Sequence, residues 1–190
     1  MKIGIFSGSF DPIHIGHAMM VSYLSQFCDL DALWLMPSPI NPLKVDSTRT
    51  PAEHHLAMCR IVADKCPSVV VSDFEFSLPR PSYTYQTLRE LKRSYPEHEF
   101  HLIIGSDNWI SFRLWRNHDK IVDEFPIIIY PRPGFEVSLP LPPGVSLLEQ
   151  APLSVMSSTF VRSVFSRGMS PRYFVDDDVI DYINSYHLYE

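Results

Sequence analysis

Five short runs of β-branched and apolar residues, at 2–6, 32–36, 69–72, 100–104 and 126–130, recur along the chain with helix-like stretches between them. None of them alternates cleanly between apolar and polar, the pattern of strands buried on both faces of a parallel sheet. The helical stretches fall at 13–27, 51–65, 83–94 and, more briefly, 110–123. Strands alternating with helices imply right-handed crossovers, so the expected fold is α/β: a Rossmann-like doubly wound parallel sheet with helices on both faces. Residues 133–152 are rich in proline with little period and read as a loop or a partial strand. Helix signals at 157–166 and 176–185 then predict a small C-terminal helical part over about 153–190. A chain of 190 residues fits one core, so residues 1–190 are expected to form a single domain.

Sheets of this kind bind ligands beyond the carboxyl ends of their strands, where strand order reverses. Polar segments sit at those places here: Gly8-Ser9 after the first run, 37–44 after the second, 73–84 after the third and Gly105-Ser106-Asp107 after the fourth. The chain has only seven glycines, and Gly4, Gly8, Gly16 and Gly105 lie in or beside these segments, which makes them positional rather than compositional.

A formal net charge of −6 argues against a nucleic-acid polymer as partner, because that affinity needs clustered Lys and Arg. A small anion needs only a helix N-terminus and one or two cations. Cys28, Cys59 and Cys66 form an odd set without C-x-x-C spacing, so reduced thiols and a cytoplasmic location are expected. No signal-peptide pattern opens the sequence and no apolar run reaches membrane-spanning length, so no membrane partner is expected. Nothing in the sequence decides between a monomer and a homo-oligomer.

Chemistry concentrates in Gly8-Ser9-Phe10-Asp11-Pro12-Ile13-His14-Ile15-Gly16-His17. A strand ends in glycine and a small hydroxyl, Asp11 is a candidate helix cap, and Pro12 suits a first helical position. Free N–H groups of such a turn and the positive helix end make an anion site without a basic side chain. His14 and His17, three apart, lie on one helix face and point towards the same space. Gly16 lets a ligand come close. Taken alone, H-x-x-H also fits two satisfied core histidines, or a zinc pair whose third ligand the sequence does not place.

This segment resembles the complete signature of the nucleotidyltransferase superfamily with the H-x-G-H motif, and the remainder, nearly end to end, resembles the bacterial nicotinate-mononucleotide adenylyltransferases. A second match is Met156-Ser157-Ser158-Thr159-Phe160-Val161-Arg162, similar to the family's I-S-S-T-x-x-R; without the resemblance, its hydroxyls read as an ordinary helix cap. The resemblance implies transfer of AMP from ATP to nicotinate mononucleotide in NAD biosynthesis, releasing pyrophosphate, with Mg2+ accompanying ATP and no protein cage for the metal. It places ATP against Gly8, Ser9, Phe10, His14, Gly16 and His17, against Gly105 and Asp107, and against Ser157, Ser158, Thr159 and Arg162. His17, His14 and Arg162 are the expected catalytic groups, His17 on the α-phosphate or leaving group and the other two on the triphosphate.

For the mononucleotide the resemblance implies Ser9, Lys44, Tyr83, Thr84, Trp115 and Arg132. Arg80-Pro81-Ser82-Tyr83-Thr84 and the following residues are similar to the family's P-S-Y-T-x-x-T-L segment, whose main chain at the positions of Tyr83 and Thr84 meets the pyridine carboxylate. Read alone, this is a loop with Ser82 capping a helix. Trp115 stands at the family's ring-stacking position, and Asp107 is placed to meet a ribose hydroxyl or help organise Mg2+, a helix cap being its plainer reading. The chain departs from the family twice: Asn41 and Leu43 replace a proline and a histidine before Lys44, and Pro131 replaces the first arginine of the turn containing Arg132. Asp176-Asp177-Asp178 reads as acids favoured by a helix dipole rather than as a metal site.

Relatives of the same chemistry with other acceptors, phosphopantetheine adenylyltransferases and cytidylyltransferases, share the first motif but lack Pro-Ser-Tyr-Thr with the later tryptophan. A serine hydrolase elbow would need G-x-S-x-G, whereas residues 7 to 11 read Ser-Gly-Ser-Phe-Asp. Neither a P-loop nor a dinucleotide fingerprint occurs. A non-catalytic nucleotide-binding module is the remaining alternative.

Overall fold

In β1 (Lys2–Gly8) Ile3 and Ile5 face one side of the sheet and Phe6 the other, so the strand is buried on both faces and reads as a continuous apolar run. A computed structural model describes residues 1–38 and 50–190. In it β1 is followed by α1 (Ile15–Phe27), β2 (Ala32–Pro37), α2 (Ala52–Ala63), β3 (Val69–Val71), α3 (Thr84–Ser94), β4 (Glu99–Gly105), α4 (Ser106–Ile110), α5 (His118–Glu124), β5 (Ile127–Tyr130), β6 (Val145–Leu147), α6 (Ser158–Ser166) and α7 (Asp177–Ser185).

All strand pairs are parallel, in the order β3-β2-β1-β4-β5-β6. The chain winds outward from β1 in one direction and from β4 in the other, which is the doubly wound topology expected, and the reversal lies between β1 and β4. Register carries the alternation across the sheet: Ile5 stands beside Leu102, and Phe6 beside Ile103. Leu102, Ile104, Ile127 and Ile129 join Ile3 and Ile5 under Leu88, Leu91 and Ile121 from α3 and α5. Phe6, Leu33, Leu35, Ile103 and Ile128 face Val21 and Leu24 of α1, Met58 and Val62 of α2, and Val161, Val179 and Ile183 of α6 and α7.

The proline-rich stretch after residue 133, read as a loop or a partial strand, contributes β6, a three-residue edge strand. Two local expectations change. The stretch at 110–123 is broken into the end of α4, a 3-10 turn at Phe112–Leu114 and α5, because Asn117 takes a left-handed conformation (φ 57°) before α5. Finally, α1 starts at Ile15 with His14 as its N-cap, so Asp11 and Pro12 form a turn ahead of the helix instead of its cap and first residue.

Candidate functional site

The turn between β1 and α1 is held by its aromatic residue. Phe10 has φ 45°, a conformation a bulky side chain adopts at a cost of about 1–3 kcal/mol. Packing keeps it there: the ring is fully buried, edge-on to Phe6 at 5.6 Å and to His17 at 4.9 Å. The main chain of Gly8 and Ser9 is left facing a cavity at the ends of β1 and β4.

His14 and His17 do share one space. Their rings stack with centroids 3.7 Å apart and 20° between planes. The His14 N–H donates to Nδ1 of His17 at 3.3 Å, so the proton of a neutral His17 ring sits on Nε2, the nitrogen free to donate to a ligand. Burial pushes the His14 imidazole down to about 4, with the Arg132 charge adding to it. Burial, the His14 ring and Arg132 hold His17 well below its usual value as well. Both rings are therefore neutral near pH 7. The zinc-pair alternative finds no support in the geometry: no group of three His, Cys, Asp or Glu side chains able to hold a metal occurs among the described residues.

Gly16 is also closely packed by protein. A Cβ there would lie 2.7 Å from Ser154 Oγ and 3.2 Å from the His14 ring, so one of these side chains would have to shift to admit it.

The second motif docks on the first. Ser157 caps α6 by accepting from the Phe160 N–H at 3.2 Å, while Ser158 Oγ donates to the Pro12 carbonyl at 2.9 Å. Arg162 Nη1 donates to the Asp11 carbonyl at 2.6 Å, and Nη2 lies 3.3 Å from Thr159 Oγ1. The two matches, some 150 residues apart in sequence, are thus one structural unit.

Asp11 is the residue that sequence reasoning misplaced. It is buried, its Oδ1 accepts from the Tyr189 hydroxyl at 2.6 Å, and His55 Nε2 lies 3.2 Å from the same oxygen. Burial works to raise the Asp11 carboxyl, but the hydrogen bonds from His55 and Tyr189 outweigh it and hold the group at about 2. Neither partner carries a local signal, since both are remote in sequence: His55 lies in α2 and Tyr189 in the turn that follows α7.

On the other side of the turn a cavity of about 450 Å3 opens at the strand reversal, lined by Gly8, Ser9, Glu75, Tyr83, Thr84, Gly105, Trp115, Arg116 and Tyr130 among others. Tyr83 is the N-cap of α3 and offers no side-chain cap, so the first main-chain N–H groups of the helix have no intrahelical acceptor. Ser82 does not cap the helix either; its hydroxyl donates to buried Glu75 at 2.7 Å. The Arg116 guanidinium stands 4.9 Å over the Tyr83 ring, and Trp115 packs on Phe112 at 5.3 Å with one side on the cavity.

Asp107 lies in the first turn of α4, and its Oδ1 is buried without a hydrogen-bond partner among the described residues. A Cβ on Gly105 would collide with that oxygen, which explains the glycine. Tyr130, next to it, is pushed up to about 12, chiefly by burial. Arg132 falls beside the histidines and Ser154 rather than in the cavity at the strand reversal. Lys44 lies outside the described residues.

The cytidylyltransferase-like family profile matches residues 5–164. A protein of Bacteroides fragilis named as a probable nicotinate-nucleotide adenylyltransferase is 49% identical over 92% of this chain and 87% of its own length. One of Bacteroides thetaiotaomicron with the same name is 44% identical over 98% and 92%. Among solved structures, the Plasmodium falciparum nicotinic acid mononucleotide adenylyltransferase complexed with NaAD superposes with a TM-score of 0.83 over 99% of this chain and 97% of that one, at 24% identity, a likeness of fold. With the profile covering most of its length and relatives this similar end to end, the chain belongs to the cytidylyltransferase-like nucleotidyltransferases, in the nicotinate-nucleotide adenylyltransferase family.

Proposed function

We propose that this protein transfers AMP from ATP to nicotinate mononucleotide, forming nicotinate adenine dinucleotide and pyrophosphate. The observation that carries the reading is the docking of Ser158 and Arg162 on the Asp11-Pro12 turn, with the histidine pair on one side and the 450 Å3 cavity on the other. A triphosphate would lie along the histidines and the start of α6, and the mononucleotide would fill the cavity. Relatives with this name and the placement of both motifs support it.

In the reaction, a phosphate oxygen of the mononucleotide attacks the α-phosphorus of ATP in line. The new O–P bond forms as the bond to the bridging oxygen breaks, and pyrophosphate leaves with that electron pair. No covalent enzyme intermediate is needed. His17 would donate through Nε2–H to the α-phosphate or the leaving group, and His14 and Arg162 would hold the triphosphate. Gly8, Ser9, Gly16, Ser157, Ser158 and Thr159 would supply main-chain and hydroxyl donors around it. Catalysis then rests on positioning two anions and offsetting developing charge in a site whose donors are already in place.

Nucleotidyltransferases of this kind typically use a divalent metal. We take it to be Mg2+; Asp107, whose Oδ1 is unpaired among the described residues, would help to organise it, and the ATP phosphates and water would supply its other contacts. It would neutralise phosphate charge. The pyridine ring would stack on Trp115, and its carboxylate would meet the main chain at Tyr83 and Thr84 near Arg116. Arg132 beside the histidines would serve the phosphates that meet there, and Lys44 is proposed on resemblance alone. One nucleotidyltransferase domain over residues 1–190 and a cytoplasmic location are part of the same reading; the three thiols are unpaired, and no helix among the described residues is long and apolar enough to cross a membrane.

His17→Ala tests it. Loss of the Nε2–H donor should lower kcat about 100-fold or more while ATP affinity changes only modestly. A variant retaining wild-type kcat would overturn the assignment.

A further inference from the structure

A carboxyl group buried in the wall of a pocket meant for an anionic ring needs an explanation. Glu75 is 7% exposed and lines the cavity. Desolvation pushes its carboxyl above the usual range, against the hydrogen bonds it accepts from Ser82 and Ser38. Burying such a group is costly unless its bonds compensate, so those bonds are the place to look for its role.

Those bonds reach two separate parts of the cavity wall. Ser38 follows the C-terminal end of β2, and Ser82 directly precedes Tyr83, the N-cap of α3. Glu75 itself is in the 3-10 turn Phe74–Ser77. The stretch from 72 to 83 between β3 and α3 contains no strand and no α-helix, so no ladder fixes where α3 begins. Beyond the packing of Leu88 and Leu91 on the sheet, the two hydroxyl donors on this carboxyl hold the first residues of that helix. With its hydroxyl committed to Glu75 Oε1 at 2.7 Å, Ser82 is also kept from turning towards the open N–H groups of α3.

We propose that Glu75 is a positioning residue for the pyridine end of the mononucleotide, tying the start of α3 to the end of β2 through Ser82 and Ser38 and so holding the Tyr83-Thr84 main chain in register with the ring. It touches the ring only through that main chain. This inference rests on the acceptor being a pyridine mononucleotide, as proposed above.

The test uses the full chain, with Glu75→Leu and Glu75→Gln assayed for KM of nicotinate mononucleotide and of ATP. Leu removes both acceptors at similar size and should raise the mononucleotide KM about tenfold or more, leaving the ATP KM within about twofold. Gln can accept from one serine and donate to the other, and should stay within about threefold of wild type. If Glu75→Leu fails to give a cooperative melt, Ser82→Ala takes its place, with a rise of about three- to tenfold confined to the mononucleotide. An unchanged mononucleotide KM, an equal rise in both KM values, or a Gln variant with a KM below that of wild type would overturn the proposal; the last would mean that charge repulsion, not positioning, is what Glu75 contributes. Wild-type protein inactive on nicotinate mononucleotide would instead refute the acceptor assignment.

Discussion

Arg162 on α6 and Asp11 in the turn after β1 meet through a 2.6 Å hydrogen bond from Nη1 to the main-chain carbonyl, with the Asp11 carboxylate 3.9 Å away. The bond to Asp11 and the contact with Thr159 Oγ1 use two of the five guanidinium donors and leave the others for a ligand. Arg162→Ala should therefore lower kcat/KM for ATP about 100- to 1,000-fold. Arg162→Lys, a point charge without the fork, should recover only part of that. Steady-state kinetics at fixed Mg2+ decides; a lysine variant equal to wild type would reduce the role of Arg162 to charge alone.

The neutral histidine pair gives a pH prediction with a definite sign. His14 sits at about 4 in the folded protein against a reference of 6.5, so the unfolded chain binds more protons between those values. Its contribution to stability is complete above about 6.5 and is lost as pH falls towards 4. The urea midpoint should decline over that window, and less steeply in His14→Asn. NMR of the imidazole nitrogens should show no titration of His14 or His17 between pH 8 and 6; a midpoint near 6.5 for either ring would contradict the account.

Tyr189 gives a second acid window. Its hydroxyl bond to Asp11 helps hold that carboxyl at about 2 rather than 3.8, a stabilisation present above about 3.8 and lost as pH falls towards 2. Tyr189→Phe should destabilise the protein by about 2 kcal/mol at neutral pH. Because Asp11 also holds Arg162, kcat/KM for ATP should fall several-fold. Equal stability of the two proteins in urea would rule out this role.

Gly16→Ala tests the packing beside the histidines. The added methyl would press on Ser154 Oγ at 2.7 Å and on the His14 ring at 3.2 Å. ATP affinity should drop about tenfold or more, and Ser154→Gly in the same protein should restore part of it, since one of the two obstacles is gone. No rescue would place the strain wholly on His14.

The fold was legible because each central strand is buried on both faces, so its apolar run survives in sequence without neighbours. Strand β6 was legible only as one of two alternatives, a loop or a partial strand, since three residues at an edge carry no periodic signal. In the site, the turn after β1, the shared space of the histidine pair and the helix start at Ser157 were readable from local spacing, whereas the meeting of the two motifs was not. Asp11 was misread because the same residue type serves as a helix cap, and only Tyr189 and His55, brought in from afar, reveal its other role. Glu75 is acidic among ordinary loop residues; its meaning arises from burial, which the sequence does not display.

The acceptor is the central claim, and one experiment addresses it most directly. Purified protein given ATP, Mg2+ and, separately, nicotinate mononucleotide, nicotinamide mononucleotide or phosphopantetheine should release pyrophosphate with kcat/KM highest for nicotinate mononucleotide, because the open N–H groups of α3 and Arg116 suit an anionic ring substituent. Turnover with phosphopantetheine alone, or with none of the three, would contradict the account.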